Sequence, residues 1–283
     1  MGYNGLHMTR RILPFLALVL ASGCASQRLT GADLDQVRRP AFISRIKDGA
    51  GPKSLVFRED SAYGDKLKKL EPVEADRRLT VKLLQAVTRF EVSERLRVNT
   101  LTQLPREFPW THVVDPARVA SVLESFLVEE VPANAPDYDL VASLGADTIV
   151  EFVIEDYGMR SDDGHAGAYL RGYGRMFTLD GRTEVWRRPF DLDQVTQGKP
   201  HLDPFKVGKN PSLFRDAMTE LLDEVAQLFV KDLTPQDRGA APPPSRASAA
   251  SDVVPGQAGA PAPEAEKPAE DTLAPGELPD PDP

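Results

Sequence analysis

The sequence predicts an α/β fold, with α+β as the alternative, in a single domain: a mixed sheet with an antiparallel hairpin in the C-terminal half, packed by three to four helices. Three observations predict it. In Ala146-Asp-Thr-Ile-Val-Glu-Phe-Val-Ile-Glu-Asp-Tyr157, Val150, Phe152 and Ile154 fall on one face at the strand period of two. Tyr169 to Leu179 and Thr183 to Phe190 flank Asp180-Gly181, a pair favoured in two-residue hairpin turns. Asn210-Pro211 opens a long helix with Phe214, Ala217, Met218, Leu221, Leu222, Val225, Leu228 and Phe229 along one side, closing near Leu233 before Thr234-Pro235.

The earlier elements follow in order. Pro40 to Ile46 reads as a first strand, and a loop at Gly49-Ala-Gly-Pro52 leads to a second at Ser54 to Arg58. From Glu74 to Phe90, Leu79, Leu83, Ala86, Val87 and Phe90 recur at three and four, the spacing of a helical face. Glu91 to Val98 reads as a strand, although Val92, Arg95 and Arg97 break its alternation. Asp115-Pro116 is an N-cap followed by proline at the first helical position, opening a helix whose Val119, Val122, Leu123, Phe126 and Leu127 share a face. Asp137 caps a shorter helix through Leu144, with Gly145 as its stop. Together these bound one domain, residues 41–235, long enough to bury a real core and without internal repeats.

If the Asp180-Gly181 turn holds two residues, Met176 lies opposite Val185, Arg175 opposite Trp186 and Tyr173 opposite Arg188, and opposite residues share a face. One face then carries Leu170, Gly172, Gly174, Met176 and Val185, suited to packing under helices. The other carries Tyr169, Arg171, Tyr173, Arg175, Phe177, Trp186 and Arg188, with Glu151 and Glu155 of the preceding strand as candidates to face the arginines. Two readings of this second face stand: an exposed sheet surface laced by ion pairs and stacking, or a docking surface for a partner, since Tyr, Trp and Arg dominate interface hot spots. On the second reading Tyr169, Arg171, Tyr173, Arg175, Trp186 and Arg188 are the partner-binding residues.

Outside this domain the chain changes character. Thr9-Arg10-Arg11 precedes an uncharged run from Ile12 to Ala21, the pattern of a secretory signal and too short to span a bilayer. Leu20-Ala-Ser-Gly-Cys24 resembles a bacterial lipobox, with Ala21 in place of the usual leucine. Cys24, the sole cysteine, is then expected to start the mature chain and carry its acyl anchor. Residues 1–23 are read as the signal, with Met8 an alternative start, and 24–40 as anchor and linker. Ala25-Ser26 lacks an inner-membrane retention Asp, which favours the periplasmic face of the outer membrane. Gln236 to Pro283 is rich in Ala and Pro with nine acids and three bases, and reads as a disordered acidic tail. It holds six of the nine net negative charges, so the domain is mildly acidic and nucleic acid is not an expected partner.

Chemistry is sparse. His112, His165 and His201 are widely spaced and lack partners at i+4, so no usual zinc site is expected. Ser161-Asp-Asp-Gly-His165 reads first as a hairpin turn and second as a cation site, and Asp191-Leu-Asp193 as strand-end residues before a carboxylate pair. There is no Gly-x-Ser-x-Gly elbow and no phosphate-cradling glycine loop, and Gly172-Tyr-Gly174 lies mid-strand, where glycine marks a bulge or tight packing. No cofactor, metal or small-molecule substrate is expected.

Leu140-Val-Ala-Ser-Leu-Gly-Ala-Asp-Thr-Ile-Val150, Leu179 to Trp186, and Thr88-Arg-Phe-Glu-Val92 are similar to segments of the periplasmic α/β domain of bacterial lipoproteins such as LpoB, CsgG and the TolB amino-terminal domain. The resemblance covers about half the domain and departs from it in the Asn99 to Val114 loop and in the C-terminal placement of the Pro-rich segment. It implies a non-catalytic role in which the chain binds another envelope protein. The alternatives are an oligomeric secretion or channel component like CsgG, or an envelope hydrolase using Asp162, Asp163 and His165.

Overall fold

The structure is a computed structural model that describes residues 29–123, 127–128, 131–132 and 135–235. The chain divides into two units, Met1–Ala240 and Ala241–Pro283; the second lies outside the described residues, as do Cys24, its surroundings and Phe126.

A mixed sheet organises the fold, as expected of an α/β chain. Its centre is β5 (Thr148–Asp162), joined in antiparallel sense to β6 (His165–Thr178), which pairs with β7 (Glu184–Asp193). On the other edge of β5, β1 (Pro40–Ile46) and β2 (Pro52–Ser54) run parallel to it in tandem, Pro40 facing Thr148 and Pro52 facing Tyr157. Parallel pairing needs a crossover, which the helices between residues 56 and 142 supply, the short α3 (Ser61–Gly64) among them; the same stretch holds an antiparallel pair, β3 (Leu127–Val128) and β4 (Val131–Pro132), and α8 (Pro204–Lys209) follows the sheet.

One face of the sheet carries the main core. Val150, Phe152 and Ile154 of β5 point into it, with Phe42 and Ile46 from β1 and Leu170 and Met176 from β6. Above them pack α4 (Pro72–Ala86), α5 (Arg89–Gln103) and α9 (Ser212–Asp232), the last through Phe214, Leu221, Val225 and Phe229, each at most 0% exposed. Phe229 stacks on Phe152 with centroids 4.8 Å apart and meets Trp186 edge-on at 5.6 Å. The second face is covered at one end by α6 (Pro116–Val122) and α7 (Tyr138–Ala142), whose Val119, Tyr138 and Val141 pack on Ala41, Ile43, Ile149 and Phe177.

Three expectations need correction. Residues 91–98 are not a strand but lie within α5, and the helix expected over 74–90 stops at Ala86. The new helix starts on a capping box: Thr88 Oγ1 accepts from the Glu91 amide at 3.1 Å, and the Glu91 carboxylate accepts from the Thr88 amide at 2.7 Å. Val92, Leu96 and Thr100 then fall on its buried face at intervals of four.

The second strand lies at 52–54, and residues 56–59 form the short helix α2 (Val56–Glu59). The reason is distant in sequence. Asp76 of α4, 2% exposed, accepts the amides of Phe57 and Arg58 at 3.1 Å and the Ser54 hydroxyl at 2.5 Å, capping α2 from outside its own segment. Third, the stretch read as linker holds α1 (Gly31–Gln36), opened by a Thr30–Asp33 capping box, and Leu29, Leu34 and Val37 are buried in the main core.

Candidate functional site

The apolar cover on the second face of the sheet ends at Tyr138 and Phe177, and a charged lattice begins there. At its root is Glu151, fully buried on β5. Its carboxylate accepts from Arg45 Nε of β1 at 2.8 Å, from Arg175 Nε of β6 at 2.5 Å and from the Tyr138 hydroxyl at 2.6 Å. Arg175 Nη2 also donates to the Tyr138 oxygen at 3.1 Å. The pairing of Glu151 with Arg175 follows from register, because the two residues are direct partners across β5 and β6. Burial, then the neighbouring Glu151, raises the Tyr138 phenol well above the usual range, so it stays a donor. Burial opposes the charge on Arg175, but Glu151 outweighs it and keeps the guanidinium charged.

Beyond Glu151 the face opens. Arg187 of β7 lies over the Tyr173 ring at 4.5 Å and forks onto Glu184 with two bonds of 2.8 Å. Arg171 lies over the Tyr169 ring at 5.3 Å and donates to Asp191 at 2.9 Å. Arg175 covers Phe177 at 4.9 Å. Glu155, expected to face these arginines, sits instead in the β5 irregularity between Ile154 and Asp156 and pairs with Lys47 at 3.6 Å.

Of the residues expected to bind a partner, Arg171, Tyr173 and Arg175 lie on this face with side chains partly accessible. Tyr169 is on the same side but is fully buried, its hydroxyl 3.4 Å from Asp156; burial first, then Asp156, raises its phenol. Trp186 and Arg188 are on the opposite face: Trp186 is fully buried in the main core, and Arg188 reaches Asp232 of α9 at 3.6 Å.

The cause is one residue. Near the turn the expected register holds, with the Thr178 amide bonded to the Thr183 carbonyl at 3.0 Å and Phe177 opposite Glu184. Then Val185 is left over as a bulge, Met176 faces Trp186, and Arg175 faces Arg187. A slip of one residue sends each later side chain to the other side. The bulge lets the successive residues Val185 and Trp186 both pack against the main core, and it places Arg187 on the open face, which the assumed register missed. A β-branched residue followed by tryptophan next to a turn is the signal that could have found it.

Gly174 makes room for that tryptophan. A Cβ on Gly174 would lie 2.5 Å from Trp186 Cη2 and 2.9 Å from Phe229 Cε1, and one on Gly172 would lie 2.1 Å from the Val153 carbonyl oxygen.

The remaining candidates are structural in their contacts. Asp163 and Gly164 form the turn between β5 and β6, with φ of 48° and 75°, as a type I′ turn requires. His165 and His201, far apart in sequence, have ring centroids 5.4 Å apart. His201 Nδ1 accepts from the Ala166 amide at 3.1 Å, which leaves the Nε2 proton for the Tyr63 hydroxyl at 3.1 Å; Tyr63 in turn donates to the Gly164 carbonyl at 2.9 Å. His165 Nε2 lies 3.0 Å from the Lys199 carbonyl. Asp193 pairs with Arg160 at 2.8 Å and Asp191 with Arg171, so the two carboxylates go to different arginines. Among the described residues there is no group of three metal-ligating side chains, and no helix is long and apolar enough to cross a membrane.

No protein family and no curated protein matches the chain. Among solved structures it is similar to that of the hypothetical protein CT253 from Chlamydia trachomatis, with 10% sequence identity and a TM-score of 0.30 over 69% of this chain and 98% of that one.

Proposed function

We propose that the protein is a periplasmic lipoprotein, anchored in the outer membrane through an acylated Cys24, that works without catalysis by binding another envelope protein through the open half of the second sheet face. The observation that carries the reading is the array of Arg171, Tyr173, Arg175 and Arg187. Planar guanidiniums lie over aromatic rings on two neighbouring strands of a packed sheet, β6 and β7, so a partner meets side chains whose ordering cost has already been met in folding. The shared-carboxylate arrangement at Glu151 fixes the root of the array. The likeness of Leu140 to Val150 and Leu179 to Trp186 to the LpoB, CsgG and TolB domains supports an accessory role.

The anchor is tested by intact-mass analysis of the protein from cell membranes beside a Cys24→Ser variant. The reading expects a mature chain that begins at Cys24, carries acyl chains and stays with the membrane, and a variant that is released. An unacylated mature chain would overturn it.

A further inference from the structure

Arginines of the described residues are mostly held by carboxylates: Arg45 and Arg175 by Glu151, Arg160 by Asp193, Arg171 by Asp191, Arg187 by Glu184. Arg38 and Arg39 depart from this pattern. They are adjacent and exposed, and neither guanidinium makes a hydrogen bond or ion pair among the described residues. A carboxylate stands beside them, yet it is used otherwise: Asp147 Oδ2 accepts their two backbone amides at 2.9 and 3.1 Å. Both side chains instead line a cavity of about 470 Å³ whose other walls are Phe108, His112 and Val113.

The cavity is assembled by elements fixed to one another. The Val114 amide bonds to the Pro40 carbonyl at 2.9 Å, tying the segment of Phe108 and His112 to the start of β1, directly after the two arginines. Gly145, with φ of 80°, runs beneath Arg39, and a Cβ there would lie 3.1 Å from Arg39 Nη1. Phe108 and His112 meet edge to face with centroids 5.6 Å apart, forming an aromatic wall.

We infer that this cavity is an anion site that takes a phosphate group carried by a small organic molecule or a lipid headgroup. Two guanidiniums against the single charge of Asp147 leave an uncompensated positive charge, and planar forks match the oxygens of a phosphate. The aromatic wall receives the organic part, and the volume falls in the usual range for small-ligand sites. The inference is independent of the sheet-face array and of the anchor, and it departs from the expectation of no small-molecule ligand.

The test is calorimetric titration of the full chain in detergent with glycerol 3-phosphate, together with sedimentation of the full-length Cys24→Ser chain with vesicles of phosphatidylglycerol or phosphatidylcholine. Arg38→Gln and Arg39→Gln are compared with Arg106→Gln, an exposed arginine outside the cavity, and thermal melting verifies that each variant is folded. Saturable binding is expected that weakens about tenfold in either cavity variant, as loss of a charge-assisted fork implies, and holds in Arg106→Gln. Selective sedimentation with phosphatidylglycerol, lost in the cavity variants, assigns the phosphate to a lipid headgroup; response to glycerol 3-phosphate alone assigns it to a soluble molecule. Absence of binding in both assays, or binding equal in the wild type and the cavity variants, would overturn the site.

Discussion

Replacing Glu151 with glutamine is isosteric yet should be among the most damaging single changes in the domain. The carboxylate accepts from two guanidiniums and a phenol at 2.5 to 2.8 Å while fully buried. Glutamine keeps one acceptor oxygen, which in the place of Oε1 still accepts from Arg45 and Tyr138, but its NH2 group then faces Arg175, so that bond fails and both guanidiniums lose their shared counter-charge. Removing one partner of a buried ion pair costs about 3 to 5 kcal/mol, which sets the expected loss. In a domain of this size that corresponds to a fall in Tm of about 10 °C. Urea unfolding followed by circular dichroism measures it. The double variant Glu151→Gln, Arg175→Met removes one of the two guanidinium charges that Glu151 had neutralised and should recover at least about 1 kcal/mol relative to Glu151→Gln. A single variant within about 1 kcal/mol of wild type, or a double variant less stable than the single, would refute the reasoning.

Other expectations follow from the same geometry. Trp186→Ala should cost about 3 to 5 kcal/mol, whereas deletion of Val185 removes the bulge and one half-buried side chain, keeps Met176 opposite Trp186 and should cost no more than about 2 kcal/mol; equal losses in urea unfolding would contradict the observed register. Gly174→Ala forces a methyl to 2.5 Å from Trp186 and should cost about 1 to 3 kcal/mol by the same assay, with a shift in indole fluorescence. Tyr63 is buried, and desolvation, then Asp203 and Asp60, push its phenol from 10.0 to about 12. The unfolded phenol ionises first, so this stabilisation is whole below pH 10.0 and is lost as the pH rises towards about 12. Urea melts on either side of that window, with Tyr63→Phe showing a shallower loss, check the sign.

The strand β5, the long α9 and the proline-initiated α6 were legible because their signals are local: a period of two, a period of three and four, and Asp-Pro at a helix start. The pairing of Glu151 with the arginines of β6 was also within reach, since alternation limits which residues can face each other. What escaped depends on distant partners. No residue within 56–59 announces that Asp76 will cap that turn, and nothing in the period of β7 shows that Val185 is extra until the core is there to receive both it and Trp186. In α5 the Thr88-x-x-Glu91 box was present, but a mixed charge pattern over 91–98 imitated alternation. The cavity of Arg38, Arg39, Phe108 and His112 joins segments some seventy residues apart whose proximity only the fold creates.

The central proposal is tested most directly by mass spectrometry of proteins crosslinked in living cells to the intact lipoprotein, beside a variant with Arg171, Tyr173 and Arg187 changed to alanine and its melting temperature checked. The expected result is a discrete envelope protein captured by the wild type and lost in the folded variant. The same capture by both chains, or crosslinks only between copies of this chain that the variant retains, would contradict a docking surface on the open sheet face.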